Sequence, residues 1–391
     1  MGKSTIEQSM DKKKILYISG TRADYGLMRQ TLFEIEKSSQ LDLEVVATGM
    51  HLMKEFGYTV EEISRDGHKV TKIQSVYDRD DRESMANFIG DFIKKFTKKI
   101  VKIDPKIILI IGDRSEMLAA AVVGAYFGIP VAHLHGGDVT STIDDIARHA
   151  ITKLSHIHLP ATQKGKERIL KLGEESWRIQ VVGAPGLDAI LNSTMPSKKE
   201  VCLRLKLNPE KPILVILQHP VTAKINEASN QIISTLDAVK ELREQMVVIY
   251  PNADAGGREM IKAIEKYREY PFIKIFKNIE HDFYLGLMDC ADILIGNSSS
   301  GIIEAPSLHL PVVNIGSRQE GRERGGNVIE VGYNKEEIAL AIKFILHSED
   351  FKKKVQESKN PYGDGHTSQK IVKVLEELEI SERLLQKKIT Y

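Results

Sequence analysis

The sequence predicts an α/β protein with two Rossmann-like parallel-sheet domains that face each other across a cleft. Short runs rich in Val, Ile and Leu alternate with amphipathic segments along the chain. Continuous apolar runs indicate strands buried on both faces, as in a parallel sheet covered by helices. The chain of 391 residues is too long for one compact core and fits two domains.

The first domain is predicted over residues 13–190. Its apolar runs predict strands at 14–18, 43–48, 107–111, 130–134, 157–160 and 179–182. The amphipathic segments 82–103 and 114–127 predict helices between these strands. The preceding residues 1–12 are polar and lack the apolar core of a signal peptide, so we expect a short disordered leader.

The second domain is predicted over residues 197–366, because residues 192–197 have the composition of a linker. A second series of apolar runs predicts strands at 213–217, 247–250, 273–276, 293–296 and 311–316. The final segment 367–391 is highly charged, and its pattern predicts a helix over 367–388. We expect this helix to cross back to the first domain.

The composition excludes several classes of partner. The 55 Lys and Arg residues nearly cancel the 54 Asp and Glu residues, and a formal net charge of +1 does not favour nucleic acid or an acidic membrane surface. The longest apolar runs are strand-sized and too short for a membrane span. Cys202 and Cys290 have no metal-ligand spacing and fit a reducing compartment. We therefore expect a cytoplasmic protein without nucleic-acid or membrane partners.

Candidate functional residues follow the predicted strands, because ligands of open parallel sheets bind at the carboxyl ends of the strands. In the first domain these positions carry Arg22, Asp24, Asp113, Arg114, His135, Asp138, Asp144 and Asp145. Single members have structural alternatives, since Asp113 or Asp144 can simply begin a helix. Of the alternating His133 and His135, one should face the core, and we expect His135 in the cleft. As a set, these residues predict acid–base chemistry in the first domain.

The second domain carries the features of a nucleotide site. Ser298, Ser299 and Ser300 precede a predicted helix, where backbone N–H groups and the helix dipole bind phosphate. Glu304 lies beyond them, and its carboxylate can accept both hydroxyls of a ribose. Guanidinium groups at strand ends can meet diphosphate oxygens in a bidentate way, and they belong to Arg22, Arg114, Arg258 and Arg318.

Eight sequence motifs together resemble one known family. They are GTRADYG (20–26), GDRSE (112–116), HLHGGD (133–138), IDDIARHAITKLSHIH (143–158), LQHPVT (217–222), PNADAGG (251–257), GNSSSGIIEAPS (296–307) and NIGSRQEGR (314–322). In this order they resemble the hydrolysing UDP-N-acetylglucosamine 2-epimerases of bacterial sialic-acid and related nonulosonic-acid pathways. The resemblance covers about residues 13–375. It implies the two-domain GT-B type of fold.

The resemblance also implies a reaction and a set of site residues. UDP is eliminated across the C1–C2 bond of the sugar to give a glycal, and water adds with inversion at C2 to release N-acetylmannosamine. Asp113 and Asp144 match acid–base carboxylates, and Gly26 matches a position near the ligand. The positions that match nucleotide contacts are Arg22, Arg114, His219, Asn252, Arg258, Asn278, Ser298, Ser299, Glu304 and Arg318, and Ser300 is added from the helix start. The family implies no metal or other cofactor, and a homodimer.

Three points stay open in the sequence. Many relatives have Glu where this chain has His135 or Asp138, so the C2 base is one of His135, Asp138 and Asp144, and His219 is a further catalytic candidate. We expect Arg22 to reach across the cleft to the diphosphate, while Asp24 either orients Arg22 or caps the helix. The alternative substrate is a UDP-linked 2,4-diacetamido-2,4,6-trideoxy sugar, as in legionaminic-acid pathways. The alternative activities are a non-hydrolysing epimerisation, a GT-B glycosyl transfer, or binding without catalysis.

Overall fold

A computed structural model describes residues 12–79, 81–139, 143–192, 195–252 and 254–391, without the side chains of residues 143, 144, 222 and 223. The predicted leader, except residue 12, lies outside the described residues. Two six-stranded sheets organise the chain, and all strand pairings in them are parallel. The predicted α/β class is therefore confirmed. We call the halves built on these sheets the first and the second lobe.

The strand order is β3-β2-β1-β4-β5-β6 in the first lobe and β12-β11-β10-β7-β8-β9 in the second. The first sheet consists of β1 (Lys13–Ser19), β2 (Leu41–Ala47), β3 (Val70–Lys72), β4 (Ile107–Ile111), β5 (Val131–Leu134) and β6 (Ile157–Leu159). The second sheet consists of β7 (Ile213–Leu217), β8 (Gln245–Ile249), β9 (Ile273–Phe276), β10 (Ile293–Gly296), β11 (Val312–Ile315) and β12 (Val328–Val331).

Helices connect the strands. The first lobe has α1 (Arg22–Lys37), α2 (Val60–Arg65), α3 (Arg82–Ile103), α4 (Ser115–Phe127), α5 (Ile143–Leu154), α6 (Gln163–Lys171) and α7 (Gly186–Asn192). The second has α8 (Lys198–Leu205), α9 (Ala228–Lys240), α10 (Gly257–Glu265), α11 (His281–Cys290), α12 (Ser300–Ile303), α13 (Lys335–His347) and α14 (Glu349–Gln356). The chain ends with α15 (Thr367–Glu377) and α16 (Glu382–Leu385). Among the described helices, none combines the length and the apolar composition needed to cross a membrane.

The prediction of a strand at 179–182 is wrong. In this described stretch, pairing with the sheet is limited to an isolated bridge between Ile179 and His158. Pro160 follows on the neighbouring strand and has no N–H group, so it cannot return the backbone bond that a regular ladder needs. The edge strands β3 and β12 are missed by the apolar-run criterion, because their short segments mix apolar with charged residues.

The prediction of one helix over 367–388 is also wrong, because this segment forms the two helices α15 and α16. The Ser381 side chain accepts a hydrogen bond from the Leu384 backbone and begins the second helix. α15 lies on the first lobe, where Ser368 and Thr31 of α1 share a side-chain hydrogen bond of 2.9 Å. The end of the chain therefore contacts the first helix.

Helix α3 shows how the helices cover a sheet. Phe88, Phe92 and Phe96 recur every fourth residue, so they lie on one helix face, and their rings stack at centroid distances of 6.1 and 5.3 Å. All three are buried in the same apolar cluster as the strand residues Ile108 and Ile110. This cluster supports one face of the first sheet.

Phe92→Ala is expected to lower the free energy of unfolding by about 3–5 kcal/mol, because it removes a fully buried ring and leaves a cavity. Val101→Ala on the same helix is the matched control, since Val101 is 67% exposed. Urea unfolding of both variants measures the difference. Equal midpoints for the two variants would contradict this account of the core.

Candidate active site

A cavity of about 330 Å³ lies between the lobes, at the carboxyl ends of strands from both sheets. Side chains from both halves of the chain line it. The predicted site residues on its wall are Arg22, Asp113, Arg114, His135, Asp138, His219, Asn252, Asn278, Ser298, Ser299, Ser300, Glu304 and Arg318. Asp144 lies in the first turn of α5, and its side chain is outside the described residues.

The turn after β1 separates the roles of Arg22 and Asp24. The Thr21 hydroxyl accepts a hydrogen bond from the Asp24 backbone, and Asp24 accepts one from the Thr21 backbone, which forms a capping box at the start of α1. Burial raises the pKa of Asp24 to about 6, although hydrogen bonds from Ser19 and Thr21 oppose this shift. Of the two roles considered for Asp24, capping is the one that these contacts support.

Arg22 is therefore available to a ligand. Among the described residues, none makes a hydrogen bond with its buried Nη1 atom. Burial lowers the pKa of this guanidinium, while Glu62 and Glu280 oppose the shift. A buried N–H donor without a partner is costly, and a diphosphate would supply an oxygen atom for it.

The acid–base side of the cavity belongs to the first lobe. Asp113 follows β4 and accepts a hydrogen bond from Nη2 of Arg148. After β5, the His135 ring Nδ1 lies 3.0 Å from Oδ2 of Asp138. Burial alone would raise the pKa of Asp138, but its hydrogen bond with His135 and the positive charges nearby hold it well below its usual range. Asp138 is therefore an ionised carboxylate bonded to an imidazole.

His133 and His135 differ in position, because His133 lies on β5 and His135 follows its end. His133 is fully buried, and its Nε2 donates a hydrogen bond of 2.7 Å to the Gly112 carbonyl oxygen. Burial lowers the pKa of His133 to about 3, so this ring is neutral. His135 instead lines the cavity. The structure thus places His133 in the sheet and His135 beside the reacting groups.

The second lobe supplies hydrogen-bond donors for an anion. Ser298 and Ser299 lie just before α12, and Ser300 begins it and shares a hydrogen bond of 2.6 Å with the Tyr284 hydroxyl. His219 accepts a hydrogen bond of 3.1 Å from the Asn252 backbone through Nδ1. Burial lowers the pKa of His219 well below its usual value, so the neutral ring carries its proton on Nε2. Nε2 is thus a donor.

Glu304 is the buried acid of the second lobe. It lines the cavity and is 4% exposed, and among the described residues none donates a hydrogen bond to its Oε2 atom. Burial raises the pKa of Glu304 to about 7, although its own backbone and Arg322 partly oppose the shift. Two ribose hydroxyls would satisfy this carboxylate, which agrees with its expected role.

Three residues in or beside the cavity were not among the expected site residues. Arg148 lies in the second turn of α5, and Arg322 reaches the first lobe, where its Nε donates to the Val139 carbonyl at 3.1 Å. Glu116, behind Arg114, is fully buried and accepts a hydrogen bond from Tyr77. The expectation that functional residues directly follow the strands points to loops, so it does not identify a residue inside a helix. The motifs RHAITK, NIGSRQEGR and GDRSE held the only signal for these three positions.

Gly26 and Arg258 lie where the lobes meet rather than on the described cavity wall. A Cβ atom on Gly26 would overlap the ring of His281, and His281 lines the cavity. Arg258 donates from Nη2 to Glu55 of the first lobe at 2.7 Å. Both residues therefore contribute to the approach of the lobes, and their predicted ligand contact stays a prediction.

Comparison with known proteins places these features in context. A family described as UDP-N-acetylglucosamine 2-epimerase matches residues 33–376. The chain is 39% identical to the hydrolysing UDP-N,N'-diacetylbacillosamine 2-epimerase of Legionella pneumophila, over 96% of this chain and 98% of the relative. It is 36% identical to the UDP-N-acetylglucosamine 2-epimerase of Neisseria meningitidis serogroup B, over 84% and 86%.

A solved structure shares the fold. The crystal structure of UDP-GlcNAc 2-epimerase from Neisseria meningitidis bound to UDP-GlcNAc superposes with a TM-score of 0.75, at 20% identity, over 93% of this chain and 99% of that one. This likeness confirms the two-lobed GT-B type of architecture. Within the part of the chain that the structure describes, no group of three or more His, Cys, Asp or Glu side chains is arranged to hold a metal ion.

Gly26→Ala is expected to weaken UDP binding by about tenfold, because the new methyl group displaces His281 or holds the lobes apart. Gly90→Ala is the matched control, since a Cβ atom there meets no described atom within 4 Å. The control should keep its affinity and gain about 0.5–1 kcal/mol of stability from helix propensity. Titration calorimetry with UDP measures the affinities. Unchanged affinity in Gly26→Ala would contradict the close approach.

Glu304→Gln is expected to raise the free energy of unfolding at about pH 8, by about 2–3 kcal/mol, and to leave it nearly unchanged at about pH 4. The carboxyl has a pKa of about 7 when folded and a usual value of 4.5, so the folded protein binds the proton more tightly. Wild-type stability therefore falls as the pH rises between these values, and neutral Gln avoids that loss. Urea unfolding without nucleotide tests this, and a difference independent of pH would refute it.

Proposed function

Because the chain belongs to the UDP-N-acetylglucosamine 2-epimerase family, we propose that it is a hydrolysing 2-epimerase of a UDP-linked 2-acetamido sugar. The primary substrate in this proposal is UDP-N-acetylglucosamine, and the products are N-acetylmannosamine and UDP. The observation that carries the proposal is the composition of one cavity. Anion-binding groups of the second lobe face carboxylates and an imidazole of the first.

The elimination step requires a base and an anion site at once. A first-lobe group removes the C2 proton, the electron pair forms the C1–C2 double bond, and the C1–O bond to UDP breaks. Arg22, Arg318, Ser298 and Ser299 line the same cavity. In this proposal their donor groups stabilise the negative charge on the departing diphosphate. The base is one of His135, Asp138 and Asp144, and the ionised Asp138 keeps the His135 ring in one orientation.

The hydration step needs an acid and a base that are arranged on the two faces of the sugar ring. An acid delivers a proton to C2 from the face opposite to the one that lost it, while water adds its oxygen to C1. A base receives the remaining water proton. Asp113 lies on the cavity wall near this chemistry, held by Arg148. The result is a free sugar with inverted C2, and the atoms balance with water as the only co-reactant.

A second candidate substrate is a UDP-linked 2,4-diacetamido-2,4,6-trideoxy sugar. The 39% identical relative carries the name of such an activity. Part of the cavity wall is apolar and is formed by Met50, Phe56, Met85 and Ile111. A methyl group in place of the C6 hydroxyl would gain from contact with such a wall. The chemistry at C1 and C2 is the same for both substrates.

The other expectations about the protein remain proposals. We propose a cytoplasmic homodimer that acts on a UDP-sugar without a metal or other cofactor and without nucleic-acid or membrane partners. Ligand-driven closure of the lobes fits a site divided between them.

Proton NMR in D2O with each UDP-sugar separately tests the function. We expect free UDP and the free 2-epimeric sugar with deuterium at C2, and the substrate with the larger kcat/KM identifies the pathway. Asp113→Asn serves as the inactive comparison in this assay, and its kcat should be about 100-fold or more below the wild-type value. A UDP-linked epimer would indicate the non-hydrolysing reaction. Unchanged spectra with both sugars would overturn the proposal in favour of glycosyl transfer or binding alone.

A further inference from the structure

Arg148 occupies a central position beneath the acid–base groups. It lies in the second turn of α5 and is 1% exposed. Its Nη2 donates to the Asp113 carboxylate, and its Nη1 donates to the His135 carbonyl at 3.0 Å. Its Nε lies 3.9 Å from Oδ1 of Asp145. One guanidinium therefore joins the segments after β4 and β5 to the helix that carries Asp144.

The backbone conformation of His135 indicates what the hydrogen bond from Arg148 to its carbonyl does. His135 has φ = +60°, in the left-handed region that is unfavourable for an L-residue. Arg148 holds the His135 carbonyl, and Asp138 holds its ring at 3.0 Å. A strained conformation persists only where its surroundings fix it, and such positions cluster at reactive sites.

A second buried arginine shows what a purely structural role looks like. Arg178 is also 1% exposed, but its guanidinium donates to the backbone carbonyls of His156 and Leu384, and to Glu175. These partners tie the C-terminal segment to the first lobe and do not line the cavity. In contrast, the two residues that Arg148 contacts, Asp113 through its carboxylate and His135 through its backbone carbonyl, both line the cavity.

We propose that Arg148 is the positioning residue of the acid–base apparatus. Its guanidinium sets the carboxylate of Asp113 and the left-handed loop at His135 in one arrangement. Because the nucleotide contacts belong mainly to the second lobe, Arg148 acts on turnover and not on UDP affinity. This inference rests on the proposed 2-epimerase function.

The test compares Arg148→Ala and Arg148→Lys with the wild type. Arg148→Ala should lose about 100-fold in kcat, the scale that a displaced catalytic group costs, while the Kd for UDP stays within about threefold. Added guanidinium should restore kcat by about tenfold, because the cavity left by the side chain accepts the same planar ion. Arg148→Lys keeps the positive charge but lacks the planar guanidinium that donates to two partners. Its kcat should therefore lie between those of Arg148→Ala and the wild type.

Two matched variants separate positioning from folding. Arg168→Ala removes a hydrogen bond of 3.0 Å to the Gly137 carbonyl in the same loop, and its kcat should stay within about threefold of the wild type. Arg178→Ala should lower the melting temperature without guanidinium rescue of kcat. If Arg148→Ala does not fold, the Lys variant decides, and a wild-type kcat in that variant overturns the proposal.

The outcomes also distinguish this inference from the proposed function. An equal loss of UDP affinity and turnover in Arg148→Ala, without rescue, would assign Arg148 to nucleotide binding or to folding and overturn its positioning role. If the wild type itself turned over neither UDP-sugar, the proposed function would fail instead. Recovery of the deuterated product on addition of guanidinium would support both.

Discussion

The close approach of the two lobes is the constraint on which the rest of the site depends. At two positions, 26 and 57, only glycine leaves room for a side chain of the opposite lobe, namely His281 and Asn278. Ion pairs then span the cleft, including Arg114 with Asp254 at 3.3 Å. Neither lobe alone contains both an anion site and an acid–base cluster, so this contact creates the reactive cavity.

Burial assigns different protonation states to three carboxyl groups of one cleft. Asp138 is held ionised because His135 and nearby arginines outweigh its burial. For Glu304, its own backbone and Arg322 compensate only in part, so burial raises its pKa to about 7. Asp24 has a pKa of about 6, and its carboxylate caps the start of α1. The pKa values of these three carboxyl groups thus differ because the groups have different hydrogen-bond partners and neighbouring charges.

Arginine serves three separate purposes in this protein. Arg22 presents a buried nitrogen without a described partner to the cavity, which suits an anionic ligand. Arg148 is engaged with Asp113 and the His135 loop. Arg178 binds backbone carbonyls of the C-terminal segment. The same planar donor group therefore faces a cavity, holds a carboxylate and a loop carbonyl, or binds backbone carbonyls of a distant segment, according to which atoms surround it.

The sequence by itself determined the α/β class, the two series of parallel strands and many of the polar residues on the cavity wall, because continuous apolar runs and strand-end residues are local patterns. It failed at 179–182, where Pro160 removes a ladder bond from the neighbouring strand, and at 367–388, where a capped break divides the helix.

Only the tertiary structure decided which partner each candidate has. It assigned Asp24 to the cap of α1, placed Gly26 and Arg258 where the lobes meet, and brought Arg148 beneath Asp113. Hydrogen bonds and burial depend on residues far apart in the chain, and no local pattern encodes those distances.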